Sequence, residues 1–113
     1  MIRNGIYLTT TRFLDGTEAH DRHVIVLLDG TMRGGGAHYY TVGSYACSVG
    51  KWKGEMTGRE HSLIDVTCPW ARKEIRIGFT GTYNDDGAEF EATALAGKRS
   101  FRFKSIYQLL FVD

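Results

Sequence analysis

The four histidines, at positions 20, 23, 38 and 61, are the side chains of this sequence best suited to hold a metal ion. His20 and His23 form a His-x-x-His pair, which supplies two imidazole ligands. A zinc site needs three or four protein ligands that converge on one point, and no further ligand stands at a recognisable spacing from this pair. We therefore interpret the histidines as solvated polar residues and predict no metal site and no cofactor.

Cys47 and two acidic pairs are the other residues that could support catalysis. A nucleophilic thiol needs a nearby base and an electropositive setting, so Cys47, on a predicted strand, is interpreted as a small buried residue. Asp85-Asp86 fits a turn and Glu89 with Glu91 fits the outward face of a strand, although two carboxylates can divide the acid and base roles. No nucleophile, base and orienting group stand together, so we predict that the protein is not an enzyme.

Glycines are concentrated in the middle of the chain, most densely at Gly34–Gly36. A phosphate-binding loop needs GxxxxGK[ST] or GxGxxG leading into a helix, and the segment after these glycines is typical of a strand. Glycines within strands permit bulges, strong coiling and close backbone approach. Gly54 and Gly58 share one face with Trp52 and Met56, so they leave room beside a large ring, for neighbouring aromatic side chains or for a ligand.

Alternating strands are the elements that would position these residues. Ile75, Ile77 and Phe79 alternate with polar residues in KEIRIGFTGTY, which is the period of a half-buried strand. The following turn, Asn84–Gly87, ends in an Asp-Gly pair that accepts the positive φ angles of a tight hairpin. Two more strands follow, GAEFEATALAG and SFRFKSIYQLLF, and the three form a meander.

The last of these strands is the most apolar. One of its faces carries Phe101, Phe103, Tyr107, Leu109 and Phe111. Ile106 and Leu110 lie on the other face, which predicts that both faces are partly covered near the C-terminus and that this end is paired.

The first half of the chain predicts five strands: GIYLTTTRFL, HVIVLLDG, TMRGG, YYTVGSYACS and KWKGEMTGRE. Tight turns at Asp29-Gly30 and Val49-Gly50 separate some of them. The connection from His61 to Lys73 breaks the alternation, and we expect a short helical turn or a cap there, with Leu63 and Trp70 as buried anchors.

Eight sequential strands joined mostly by tight turns would leave exposed edges and an uncovered apolar face in one flat sheet. Closure removes both problems, so we predict an all-β fold, an eight-stranded up-and-down antiparallel barrel, with a β-sandwich as the alternative. Large side chains on the inward faces form the candidate ligand-binding set, namely Trp52, Met56, Phe79, Phe90, Phe101 and Phe103.

Composition narrows the class of protein. The chain has 113 residues, 42% of them hydrophobic and 24% charged, which predicts one soluble domain over residues 1–113. A formal net charge of +1 gives no strong positive electrostatic field that would attract nucleic acid or anionic lipid, so neither is expected as a partner. The sequence lacks an apolar leader and a membrane-spanning run, and Cys47 and Cys68 fit reduced thiols, so we predict a cytoplasmic location.

Three motifs resemble the GrlR family, negative regulators of type III secretion gene expression. They are NGIY at Asn4–Tyr7, DGTMRGG at Asp29–Gly35 and TVGSY at Thr41–Tyr45. The resemblance implies a lipocalin-like eight-stranded barrel that dimerises and regulates a transcriptional activator through an acidic surface stretch. Residues 46–50 stand at the place of that stretch and carry no acid, so the resemblance does not extend to the activator.

Two functions are therefore expected. The first is a non-enzymatic regulatory or interaction protein, dimeric, that binds a protein partner. The alternative is a lipocalin-like carrier or sensor of a small apolar ligand held in the barrel lumen.

Overall fold

The computed structural model describes residues 1–14, 20–63 and 71–113, with the backbone alone at His20 and Asp21. The described chain forms eight strands, β1 (Gly5–Phe13), β2 (His20–Leu28), β3 (Thr31–Gly35), β4 (Tyr39–Ser48), β5 (Lys51–Glu60), β6 (Ile75–Tyr83), β7 (Gly87–Ala96) and β8 (Arg99–Val112).

Each strand pairs antiparallel with the next, and β8 pairs with β1 to close the sheet into a barrel. The predicted eight-stranded up-and-down antiparallel barrel is confirmed, and the alternative of a β-sandwich is wrong. Closure gives each of the eight strands a paired neighbour on both sides, which is the physical advantage of the arrangement. The barrel has two ends: we call the end at which β1, β3, β5 and β7 finish the mouth, and the opposite end the base.

Side-chain alternation determines which residues face the lumen. In β7, for example, Phe90, Ala92 and Ala94 are buried, whereas Glu89 and Glu91 are exposed. The same period holds in the other strands, because successive side chains of a strand point to opposite faces of the sheet.

Two hairpins at the base use paired positive φ angles. Asp29 (φ 48°) with Gly30 (φ 86°) and Val49 (φ 48°) with Gly50 (φ 77°) each supply the two central residues of a tight turn. Positive values at both positions match the right-handed twist of the flanking strands. Glycine adopts this conformation readily, whereas Val49 is β-branched and is strained there.

The third hairpin at the base is built differently from the prediction. The carboxamide oxygen of Asn84 accepts hydrogen bonds from the backbone N–H groups of Asp86 (2.8 Å) and Gly87 (3.0 Å). Neither Asp86 nor Gly87 has a positive φ. The expectation of positive φ angles at the Asp-Gly pair was therefore wrong, because the Asn84 side chain closes the turn in their place.

The C-terminal strand is paired to its end, as predicted, with Val112 opposite Gly5. The expectation was that both its faces are partly covered near this end, but the outward side is mostly exposed, with Ile106, Leu110 and Phe111 53%, 52% and 62% exposed. A register shift opposite Ile6 and Tyr7 gives β8 one extra residue. This bulge turns Phe111 away from the inward alternation.

The residues before β1 pack against the core from the base. Ile2 is buried, and the hydroxyl of Tyr7 donates a hydrogen bond to the carbonyl of Arg3 at 2.7 Å. At the mouth, Leu63 is 74% exposed, so its predicted role as a buried anchor was wrong. Trp70 and the expected turn or cap at residues 64–70 lie outside the described residues. Over the described ranges, no helix is long and apolar enough to cross a membrane.

Candidate functional site

The base half of the lumen is filled by aromatic rings around Trp52. The ring centroid of Trp52 lies 4.8 Å from that of Phe79, 5.4 Å from that of Tyr107 and 5.7 Å from those of Tyr45 and Phe90. The indole N–H donates to the carbonyl of Glu89 at 3.0 Å, so the one polar atom of the ring is satisfied. This half of the barrel is a packed core.

Glycines on neighbouring strands make room for these rings. A Cβ atom at Gly54 would lie 2.8 Å from Cζ of Phe79, which stands opposite it on β6. A Cβ atom at Gly81 would lie 2.6 Å from the Cα atom of Phe90, so Gly81 allows the backbones of β6 and β7 to approach closely. The space beside Gly54 is taken by the carbonyl of Ser44 and the ring of Phe79.

The side chains of the described residues leave the mouth half of the lumen unfilled, and it holds a cavity of about 410 Å³. Its apolar wall is made by β5, β6, β7 and β8 and comprises Met56, Ile75, Ile77, Ala94, Phe101 and Phe103. Phe90 and Tyr107, which contact Trp52, form the boundary with the packed half.

Gly58 is the position at which this wall has spare room. A Cβ atom there would make ordinary contacts, with the nearest atom 3.5 Å away on Thr41. Gly54 and Gly58 thus face the same lumen from one strand, but only Gly58 borders open space.

Polar groups occupy the opposite wall, on β1, β2 and β8. The hydroxyl of Thr9 lies 3.1 Å from Nδ1 and 3.2 Å from Nε2 of His23, its cross-strand neighbour. The hydroxyls of Thr11 and Ser105 lie 2.8 Å apart, and these two residues are also direct cross-strand neighbours, on β1 and β8. Thr9 and Ser105 are 1% and 2% exposed, so this wall carries polar atoms deep into the lumen.

The predicted ligand-binding set is divided between the two halves. Met56, Phe90, Phe101 and Phe103 border the cavity, whereas Trp52 and Phe79 lie in the packed core below it. Sequence reasoning missed the polar wall. A signal was available, since Thr9 and Thr11 share the inward alternation of Tyr7.

Burial alters the acidity of three tyrosines near the lumen. Burial raises the pKa of the Tyr107 phenol strongly and is the main cause of the raised pKa of Tyr7 and Tyr45. All three phenols are therefore neutral at physiological pH, and none adds charge to the lumen.

The other residues considered for chemistry lie apart from one another. Within residues 1–14, 20–63 and 71–113, no group of three His, Cys, Asp or Glu side chains could hold a metal ion. His61 lies at the mouth, with Nε2 2.9 Å from the carbonyl of Gly36. Glu89 faces outward, with a carboxylate oxygen 3.4 Å from Nζ of Lys104. Cys47 is a free thiol packed at the margin of the core.

A scan of the chain against models of known protein families finds no match, and a search of curated proteins finds no significant match. The resemblance to the GrlR family therefore stays a prediction made from three short motifs.

Proposed function

We propose that the protein binds a small, mainly apolar molecule in the open half of its barrel. The observation that carries the proposal is the cavity of about 410 Å³, lined on one side by Met56, Ile77, Phe101 and Phe103. Small-molecule sites have volumes of about 300–1,000 Å³ and are lined mainly by apolar side chains. Protein interiors are otherwise close-packed, and an unfilled apolar cavity lowers stability, so a retained cavity of this size favours a binding role.

Binding can be tested with N-phenyl-1-naphthylamine, an uncharged dye that fluoresces in apolar surroundings. We expect saturable fluorescence with the unaltered protein. Gly58→Phe should weaken binding at least tenfold because the added ring projects into the cavity, while Gly58→Ala, whose Cβ meets nothing closer than 3.5 Å, should leave binding within about twofold.

Ala94→Phe is a second blocking variant in case Gly58→Phe does not fold, because Ala94 borders the same cavity from β7. Circular dichroism and a cooperative thermal transition verify the fold of each variant. Absence of saturable dye binding to the folded, unaltered protein would overturn the proposal.

A second proposal, a protein contact, is supported by the outer apolar face. This face is formed by outward side chains of β8, β1, β2 and β4, and its exposed members include Ile106, Leu110, Phe111, Val24, Val26, Leu28 and Val42. Cross-strand pairing places Phe111, Ile6, Val26, Arg33 and Val42 in one strip across five strands. Large exposed apolar patches of this kind mark interaction sites.

The occupant we propose for the outer apolar face is a second copy of this chain. The strip contains a single charged residue, Arg33, so a partner that binds mainly through ion pairs would form few of them here. Two copies can instead bring the same apolar strip together across a twofold axis, the commonest symmetry of homo-oligomers.

Sedimentation velocity tests this second proposal. We expect a dimer that becomes a monomer in Val26→Lys and Phe111→Lys, whose side chains are 40% and 62% exposed. Thr80→Lys, on the outward face of β6, is the matched control and should stay dimeric. A monomer at all concentrations would refute a dimer.

A non-enzymatic regulatory role in the cytoplasm completes the proposal, on the support of the motif resemblance and the free thiol of Cys47. Affinity capture with the tagged protein from its native lysate tests it. Failure to recover any stoichiometric partner would argue against regulation through a protein and leave ligand binding as the function.

A further inference from the structure

We propose that the lumen selects an uncharged amphiphile that binds with its polar group buried deep, at the Thr11–Ser105 pair, and its apolar body toward the mouth. This inference rests on the proposed ligand-binding function and specifies the chemistry and orientation of the ligand.

The distribution of polar atoms with depth supports the orientation. Ser105 is 2% exposed and Thr9 is 1% exposed, whereas Thr11 is partly buried, and the Thr11–Ser105 pair lies one inward position below the Phe13–Phe103 pair at the mouth. Phe13 and Phe101, nearer the mouth, are only partly buried, and their rings contact each other at 6.2 Å between centroids. On this side of the lumen the Thr11–Ser105 pair therefore lies below the Phe13–Phe101 contact and above the floor formed by Phe90 and Tyr107.

Unused hydrogen-bonding capacity at the Thr11–Ser105 pair supports a role in recognition. Two hydroxyls carry two hydrogens and four lone pairs, and the single contact of 2.8 Å between them uses one hydrogen and one lone pair. A buried donor left without a partner lowers stability, so a wall that served packing alone would favour valine or alanine here. A ligand hydroxyl or carbonyl placed beside the pair would satisfy the remaining hydrogen.

The absence of a countercharge at depth supports an uncharged ligand. Among the described residues that border the cavity, Arg22 carries the only permanent charge, and its side chain is exposed on the outward alternation of β2. His23 and His38 also border the cavity, and the His23 ring already contacts the Thr9 hydroxyl. A carboxylate or ammonium group carried down to Ser105 would lose its hydration without meeting a permanent opposite charge. A neutral hydroxyl loses much less and regains hydrogen bonds from the wall.

Three probes with the same eight-carbon chain separate these possibilities: octanol, octanoate and octylammonium. Each is titrated against the protein with bound N-phenyl-1-naphthylamine, and displacement gives its Kd. We expect octanol to bind at least tenfold more tightly than either charged probe at neutral pH.

Substitutions on the polar wall locate the head group. Ser105→Ala and Thr11→Val should each weaken octanol binding about threefold to tenfold while changing dye binding less than twofold, the expected effect of losing one hydrogen bond. Thr41→Val is the matched control, because Thr41 borders the same cavity from β4 and its hydroxyl makes a long hydrogen bond, 3.5 Å, to the Gly34 carbonyl on the other side of the lumen from Ser105. It should leave octanol binding unchanged.

The outcomes distinguish the two levels of the proposal. If the dye does not bind, the proposed function itself fails. If the dye binds but a charged probe binds as tightly as octanol, or if the wall variants match Thr41→Val, ligand binding stands and this inference is overturned.

Discussion

Gly54 and Gly58 should respond in opposite directions to the same substitution, although both face the lumen from β5. An added methyl group at Gly54 would come too close to the backbone carbonyl oxygen of Ser44 on β4 and would lie 2.8 Å and 3.0 Å from two ring carbons of Phe79. The Phe79 ring cannot retreat freely, because it is stacked on Phe90 at 4.3 Å and contacts Trp52 at 4.8 Å. Overpacking of a core costs about 1–3 kcal/mol, so Gly54→Ala should lower the free energy of unfolding by that amount.

Gly58→Ala provides the contrast within one strand. Its methyl group would meet no atom closer than 3.5 Å, and alanine restricts the unfolded chain more than glycine does. We therefore expect the free energy of unfolding to rise by about 0.4–1 kcal/mol. Urea denaturation of both variants measures the difference directly. Equal destabilisation by the two substitutions would refute the division of the lumen into a packed and an open half.

Three further changes test other parts of the fold. Val49→Asn should raise the free energy of unfolding by about 1 kcal/mol in urea denaturation, because asparagine tolerates the φ of 48° that strains valine; no gain would contradict that conformation. Tyr45→Phe should change the free energy of unfolding by less than about 1 kcal/mol on thermal unfolding, because the buried Tyr45 hydroxyl makes no hydrogen bond of good geometry with the described residues and only approaches the Gly30 backbone; a larger loss would show that this contact is a strong hydrogen bond. Burial raises the pKa of Tyr107 and Tyr7 above their ordinary value of 10.0, so the stability contributed by these neutral phenols is present below pH 10 and is lost as the pH rises through the raised values. Ultraviolet difference absorbance should show these phenols ionising only with alkaline unfolding, and ionisation in the folded protein at pH 10 would be the contrary result.

The barrel could be predicted from the sequence because its strands obey one simple rule. Inward and outward residues alternate with period two, so the burial of Phe90, Ala92 and Ala94 follows from their spacing alone. A two-residue turn such as Asp29-Gly30 is so short that the two strands it joins must be adjacent and antiparallel. Closure then follows from the need to cover one apolar face and two edges.

The candidate site depended on three-dimensional relations that spacing does not contain. Trp52 and Met56 share an alternation, yet one lies in the packed core and the other borders the cavity, because facing strands bring Phe79 and Phe90 to Trp52. The pairing of Thr11 with Ser105 joins residues 94 positions apart in the chain. The side chain of Phe111 points outward because of a single-residue bulge, and the alternation of residue types does not predict that bulge.

Methyl NMR during a titration with octanol tests ligand binding in the lumen most directly. We expect saturable shifts at the methyl groups of Met56 and Ile77, which border the cavity, and none at Ile25 and Leu27, which are fully buried in the core and do not border it. Shifts confined to Val24 and Val26 on the outer apolar face, or no shifts at all, would contradict a ligand-binding lumen.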